Sequence, residues 1–506
     1  MKKKTSYLVL SSVLGGAGML TTPVALADCT DPSRAVVTCS NSVTTPQIYS
    51  TAGQNVTIVQ GTQFTTTGGA NALYFSSHSA NLENNGNLTA DGDALRFFST
   101  NNSQVVNNGT ITASGAQSHA INVAEVADSA IRNTGTLTTS GSGGNGVYLN
   151  SVIRTPVINT GSITTSGDGA DGINAHSFSE SLIANQGQIT VSGTNSNGIY
   201  TGRSVKDTTL QNLGVIYAAG GTGIVVTDTA EINTLFNAGV IDGGVAGVHL
   251  SGNSQTGTLV NTGYIIGGGN GDAVVLAGNS TVNQFENKGI IGALEGDAIQ
   301  IASSSNVIGG INNEGVIIGR VNAPGSNFSN TGIFELLSDQ QPSSVNTYVQ
   351  SSTGILALQA DSTSNYGQLK VSGNAALNGR TLVITRGSTR FADGDELVDV
   401  VTASNITGTP SAVMDDSLRY QFVQEQTGTS YSLKIVDTNL TTVTNTITTT
   451  SNNPSLAGVG TVLDTIITNN NSISQPQGPN CNGALASTVC AITSSFNASQ
   501  VHKNTV

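Results

Sequence analysis

The 506-residue sequence contains no tryptophan, and charged residues make up only 10% of it. Basic residues are scarcer than acidic ones, with 18 Lys and Arg against 31 Asp and Glu. With Lys2, Lys3 and Lys4 set aside the formal charge is about −16, which repels phosphate backbones and anionic lipid. Nucleic acid is therefore excluded as a partner. No segment after the N-terminus approaches the ~20 consecutive apolar residues of a membrane helix. The four cysteines form two close pairs, Cys29 with Cys39 and Cys481 with Cys490, and neither is CxxC. Redox catalysis and zinc binding are thus disfavoured, and two local structural disulfides are expected. A G-D-S-G run is missing, and His78, His119, His176, His249 and His502 are scattered. No serine-protease triad can be read from them, and each is expected on an exposed strand or loop.

The N-terminus is a secretory signal. Lys2 to Lys4 form its charged region, an apolar stretch runs from Tyr7 to Leu20, and Ala25-Leu26-Ala27 is an A-x-A cleavage site. Residues 1–27 are therefore expected to be removed, leaving Asp28 first. Export to an oxidising compartment is what permits the disulfides.

Glycine is abundant, at 61 residues. Eleven Asn-x-Gly triplets recur, with glycines at Gly86, Gly109, Gly135, Gly161, Gly187, Gly214, Gly239, Gly263, Gly289, Gly315 and Gly332, mostly 24 to 27 residues apart. A fixed period of this size marks a solenoid, in which each repeat buries its apolar face against its neighbours. Between Asn159-x-Gly161 and Asn185-x-Gly187 lie three short β-prone runs separated by Gly, Asn and Ser turns. Ala94-Leu95, Ala120-Ile121, Gly146-Val147, Gly172-Ile173 and Gly198-Ile199 recur in the second run. Val106, Ile131, Ile158, Ile183, Leu210, Phe236, Val260, Phe285 and Ile311 recur in the third and are expected inside.

The fold class is therefore all-β: a right-handed parallel β-helix with three strands per coil, a repeat of ~26 residues and about 13 to 16 coils. The Asn side chains are expected to form a ladder at one corner, as at Asn159, Asn185, Asn261 and Asn287. Gly161, Gly187, Gly263 and Gly289 are expected to supply a positive φ there. No 11-to-18-residue helical pattern interrupts residues 61–340. Residues 28–60, with Cys29 and Cys39, are expected to cap the N-terminal end.

Carboxylates offer little chemistry. Asp93, Asp171, Asp272 and Asp297 precede the second run in their repeats, where Asn145 and Asn197 stand in others, so they read as turn residues. The segment Gly167-Asp168-Gly169-Ala170-Asp171-Gly172 lacks the spacing of a calcium loop. A polysaccharide lyase or hydrolase needs carboxylates grouped on neighbouring coils, often with a base. Glu295, Asp297 and Asp272 form the nearest acidic group, and Lys288 and Arg320 are expected at other points of the repeat. No catalytic, cofactor or metal residue is assigned. Outward Thr, Ser and Asn, with Tyr148, Tyr200, Tyr217 and Tyr264, offer a long face for weak multivalent contacts.

From Val349 the pattern changes to longer alternating strands. Tyr366, Leu369, Val371, Gly373, Ala375, Leu377 and Gly379 spell an aromatic residue followed by L-x-V-x-G-x-A-x-L-x-G. This block, over residues 349–437, resembles the C-terminal autochaperone region of pertactin-like autotransporter passengers. Gly367 stands where that family often has a polar residue. The resemblance implies a passenger β-helix capped by residues 341–437, a cap that folds first, and then a linker helix and an outer-membrane β-barrel. Residues 438–506 contain a helical pattern over 454–468 that suits the linker, but too few residues follow Asn471 for a barrel, a departure from the family.

The resemblance implies a surface-displayed, non-enzymatic adhesin at the envelope of a Gram-negative bacterium. Its partners would be host-cell surface, matrix or glycan, or sister cells, with the outer membrane reached through a barrel not present in this chain. A chain without its own barrel would instead be periplasmic. The alternatives are a β-helical polysaccharide lyase or hydrolase and a two-partner secreted haemagglutinin-like protein. The last is disfavoured because no N-P-N-G-type run occurs near the N-terminus.

Overall fold

The computed structural model describes residues 28–437, apart from 31, 386–390 and 418–419. The expected signal peptide, the Cys481–Cys490 pair, His502 and the helix over 454–468 lie outside the described residues. Among those residues every regular element is a β-strand. The strands form a right-handed parallel β-helix of about 13 turns with a repeat of about 26 residues.

The three runs of each repeat become three strands, as in Ser162–Thr165, Ile173–Ser179 and Leu182–Asn185. Each pairs in parallel with its counterpart one coil on: Gln188–Val191, Ile199–Gly202 and Thr208–Asn212. Three columns result. The first column buries Ile111, Leu137, Ile163, Ile189 and Ile216; the second buries Ile121, Val147, Ile173 and Ile199. Each buried aliphatic side chain contributes roughly 1.5–3 kcal/mol.

The third column corrects the expected phase. Val106, Ile158, Phe236 and Val260 face outward, whereas Val105, Val157, Leu235 and Leu259 are buried in line with Ile131, Ile183, Leu210, Phe285 and Ile311. Side chains alternate along a strand. Because the corner Asn points inward, the residue before it must point out, and the one before that in.

Side chains satisfy the backbone at all three corners. Between the third and first columns, Asn84, Asn107, Asn133, Asn159, Asn185, Asn212, Asn237, Asn261, Asn287, Asn313 and Asn330 form one file of buried amides. Each Nδ2 donates to the next Oδ1 at 2.7–2.9 Å. The amide also meets the backbone of both coils: Asn159 Nδ2 lies 3.3 Å from Gly161 O and 3.2 Å from Gln188 O of the next coil. Between the second and third columns, Ser103 Oγ, Ser129 Oγ, Thr155 Oγ1 and Ser181 Oγ accept the backbone N–H of the coil before, at 2.8–3.2 Å. The file between the first and second columns belongs to the candidate site.

The Asn-x-Gly glycines are required for a reason other than φ. None has a positive φ. A Cβ on Gly161 would lie 2.0 Å from Gly135 O, and the distance is 1.9–2.2 Å at each of these glycines from Gly109 to Gly332. Stacked coils bring the corner backbones too close for any side chain. Gly146, Gly172, Gly198 and Gly223 are small for a related reason, since a Cβ there would strike Cγ2 of Ile163, Ile189, Ile216 and Ile241 at 2.2–2.4 Å.

Both ends are closed by antiparallel pairing. Asp28–Cys29 pairs with Val36–Ser40, placing Cys29 opposite Cys39, and these two form a disulfide. Parallel stacking begins at once, Val36–Ser40 against Asn55–Ile58. At the other end the columns run on through the change of sequence character near 341. Ile333–Leu336, Ile355–Ser362, Arg380–Thr385 and Ala412–Asp415 continue the first column. The L-x-V-x-G-x-A-x-L-x-G block supplies two strands, Leu369–Val371 and Asn374–Leu377. Leu369 and Val371 stand in the second column, Ala375 and Leu377 in the third, and all four are buried. A Cβ on Gly379 would lie 2.1 Å from Gly354 O, repeating the corner geometry. One on Gly373 would lie 2.9 Å from Asn346 O. Tyr366 Oη donates to Val398 O at 2.5 Å. Tyr420–Gln426 and Ser430–Asp437 then form an antiparallel hairpin against Glu396–Thr402, with Tyr431, Leu433 and Ile435 buried beneath it.

Candidate functional site

The outer face of the second column gathers aromatic and titratable side chains that the sequence spreads over some 150 residues. Register places Ile48, Tyr74, Arg96, Asn122, Tyr148, Asn174 and Tyr200 in one outward file. The Arg96 guanidinium lies 5.9 Å from the ring centroids of both Tyr74 and Phe98. Beside them a shallow hollow of about 340 Å³ is lined by Pro46, Gln47, Ile48, Asn71, Tyr74 and Arg96.

Further along, four rings form a continuous run. His119 stacks on Tyr148 at 4.5 Å, Tyr148 meets His176 at 6.0 Å, and His176 meets Tyr200 at 5.4 Å. The second-column strands bend here, at Glu125, Ser151 and Ser177, with φ of 55°, 57° and 52°. Such values are uncommon without glycine, so no Gly signal in the sequence marked the bend.

The turn residues beside this face form the third corner file. Asn71 Oδ1, Asp93 Oδ1, His119 Nδ1, Asn145 Oδ1, Asp171 Oδ1 and Asn197 Oδ1 each accept the backbone N–H of the equivalent residue one coil on, at 2.7–3.1 Å. Asp and Asn alternate here because the position needs an acceptor aimed along the axis. His119 serves as well as either, which corrects its expected exposure: it is buried, while His176 and His249 are partly buried. Burial lowers the pKa of His119, against the pull of Asp93, and burial followed by Arg203 lowers that of His176. Burial raises the Asp171 carboxyl to about 6, although hydrogen bonds from Asn197 and Asn174 oppose the shift.

Several polar atoms on this face have little solvent contact and no hydrogen-bond partner among the described residues: Arg96 Nε, Asn174 Oδ1, His176 Nδ1 and His249 Nε2. Asn174 Nδ2 is engaged, donating to Asp171 Oδ2 at 2.5 Å. Tyr217 and Tyr264 lie on the first column instead, so the four tyrosines divide between two faces.

The acidic group at the second column resolves differently from its expected arrangement. Asp272 Oδ1 accepts Asp297 N at 2.6 Å, and Glu295 is exposed. Arg320 is in register with Asp297 and donates to its Oδ1 at 3.2 Å, which corrects its expected displacement. The reason is a register shift between Gly292 and Asp297 that brings the next coil's base into line. Asp168 Oδ1 accepts Thr194 N at 2.8 Å, tying the Gly167–Gly172 turn to its neighbour. Among the described residues no group of three or more His, Cys, Asp or Glu could hold a metal ion.

No protein-family model matches the chain and no curated protein matches it, so what identifies the molecule is its architecture: a right-handed parallel β-helix with polar ladders at its corners and one aromatic face.

Proposed function

We propose that the chain is the passenger of a pertactin-like autotransporter, displayed at the surface of a Gram-negative bacterium. There it acts as an adhesin, by contact rather than by catalysis. One observation carries this reading: the Leu369–Gly379 block lies in the last coil but one, stacked under the coil of residues 396–415 against which the closing hairpin pairs, where an autochaperone cap would stand. A rod of stacked coils with a lid at its C-terminal end suits display away from an anchored end. The outward face of the second column offers rings and amides on a stiff support, and its partners are host surface, matrix, glycan or sister cells. Two carboxylates of the acidic group are engaged, Asp272 by the backbone N–H of Asp297 and Asp297 by Arg320, which supports the non-enzymatic reading. Antibody labelling of intact cells producing the whole reading frame tests display. Labelling without permeabilisation is expected; labelling only after permeabilisation would overturn it.

A further inference from the structure

We propose that the outer face of the first column, over residues 63–190, binds the ordered water of an ice surface. Six strands there carry threonine at one outward place, Thr65, Thr89, Thr112, Thr138, Thr164 and Thr190, each in register with the one before. A second outward file stands two residues earlier on the same strands: Gln63, Asn87, Thr110, Thr136, Ser162 and Gln188. All twelve are exposed or half-buried and none is charged. The site stands whether or not the chain is displayed on a cell.

The preference of threonine for strands does not by itself produce this array. Over the same coils the outward file of the third column holds Glu83, Val106, Arg132 and Ile158, and that of the second holds Arg96, Asn122, Tyr148 and Asn174. Spacing on the threonine face is regular in two directions. Neighbouring coils lie ~4.8 Å apart and alternate side chains of one strand roughly 6.6–6.8 Å apart, close to the two repeats of oxygen atoms on a prism face of ice. The Asn84 to Asn185 ladder at the adjoining corner pins the pitch with bonds of 2.7–2.8 Å. No register shift interrupts the six strands. Between the two files, Phe64, Leu88, Ile111, Leu137, Ile163 and Ile189 are fully buried and fix the strands from within.

The threonine hydroxyls of both files have no partner among the described residues, yet none is closed to solvent. Each can hold a water while the methyl beside it limits where others sit. Over five coil spacings, roughly 24 Å, the held waters make a patch of lattice on a stiff support. A solid of matching period takes up the whole patch at once, so weak contacts add with little ordering cost. A sugar polymer would want an outward ring to stack on, and these strands offer none; Tyr217 comes one coil later, in line with Thr190.

Nanolitre osmometry of the full chain around a seeded ice crystal tests the face. A gap between the melting and freezing points, with faceted crystals, is expected. Thr138→Lys sets a long charged side chain in the middle of the array and should abolish most of the gap. Ile158→Lys sets the same side chain on the third column and should leave the gap unchanged. No gap in the wild-type chain overturns the proposal, as does an unchanged gap in folded Thr138→Lys or an equal loss in folded Ile158→Lys. If Thr138→Lys does not fold, Thr112→Lys is judged by the same criterion. Wild-type chain carrying a fluorophore supplies a reading free of any variant: it should coat the prism planes of a growing ice hemisphere, and exclusion from the ice overturns the proposal. Adsorption to crystalline cellulose without a freezing gap would assign the array to a crystalline polysaccharide instead, and overturns it too.

Discussion

Asn159 and Asn185 are joined by one hydrogen bond, Nδ2 to Oδ1 at 2.8 Å, in a space that excludes water. The same bond recurs along the file until Asn330, whose Nδ2 donates to Tyr348 Oη at 3.2 Å. Gln350 and then Leu377 take the next places in that column. The ladder thus spans the regular repeats and stops where the C-terminal coils begin.

Asn185→Ala is expected to be severe. It removes the acceptor of Asn159 Nδ2 and the donor to Asn212 Oδ1, leaving two buried amides short of a partner. Loss of about 3–5 kcal/mol follows from roughly 1–3 kcal/mol per orphaned group plus the cavity. Urea denaturation measures it, and a loss below about 1 kcal/mol would contradict the ladder's role.

Two glycine-to-alanine changes should differ sharply. In Gly161→Ala the new Cβ would lie 2.0 Å from Gly135 O, so the coils must separate; a loss above about 3 kcal/mol is expected. Gly169 has φ of 65° and nothing within 4 Å of a built Cβ. Gly169→Ala should cost only about 1–2 kcal/mol, the price of a left-handed alanine. Thermal melts of the two proteins give the comparison, and equal shifts would contradict the account.

Asp171 makes stability depend on pH. Its carboxyl, raised to about 6 by burial, keeps a proton that the unfolded chain releases near pH 4. Between these values the folded state binds more protons, so stability falls as pH rises. The contribution is complete below about pH 4 and lost above about pH 6. Asp171→Asn should remove this loss, since Asn already serves the same file at Asn145 and Asn197. Asn174 Oδ1, now without a partner, can accept from the new amide after a flip. Denaturation at pH 4 and pH 7 should show the variant gaining about 2–3 kcal/mol on wild type across that interval; parallel curves would contradict the burial argument.

Reduction of Cys29–Cys39 should act locally. The bond spans ten residues of sequence and lies at the N-terminal end, and a solenoid transmits stability mainly between neighbours. Closing a loop of this size is worth about 2–3 kcal/mol. Hydrogen exchange should quicken at Val36–Ser40 and Asn55–Ile58 on reduction, and stay unchanged at Ile290–Ile301. Uniform quickening would show the rod melting as one unit.

The fold was legible because the Asn-x-Gly period, the turn residues and the small-plus-aliphatic pairs all repeat with it. The Asn ladder at Asn159 and Asn185 was legible for the same reason. Side-chain phase in the third column was not, because Ile158 and Val157 are both apolar and only the inward Asn159 tells them apart. Composition also hid the steric role of Gly161, since a positive φ and a close approach select the same residue. The aromatic face is not legible as a unit: the repeat places Tyr148 and Tyr200 outward, but His119 and His176 lie in other files and reach them only diagonally. The pairing of Arg320 with Asp297 is not legible either, because a register shift after Gly292 breaks simple counting along the repeat.

Adherence and turnover measured in the same wells test the central claim most directly. Beads coated with the full chain are settled on epithelial monolayers, washed and counted while reducing sugar is followed in the supernatant. The account predicts adherence well above uncoated beads with no reducing sugar released over time. Steady release of reducing ends, or adherence no better than uncoated beads, would contradict it.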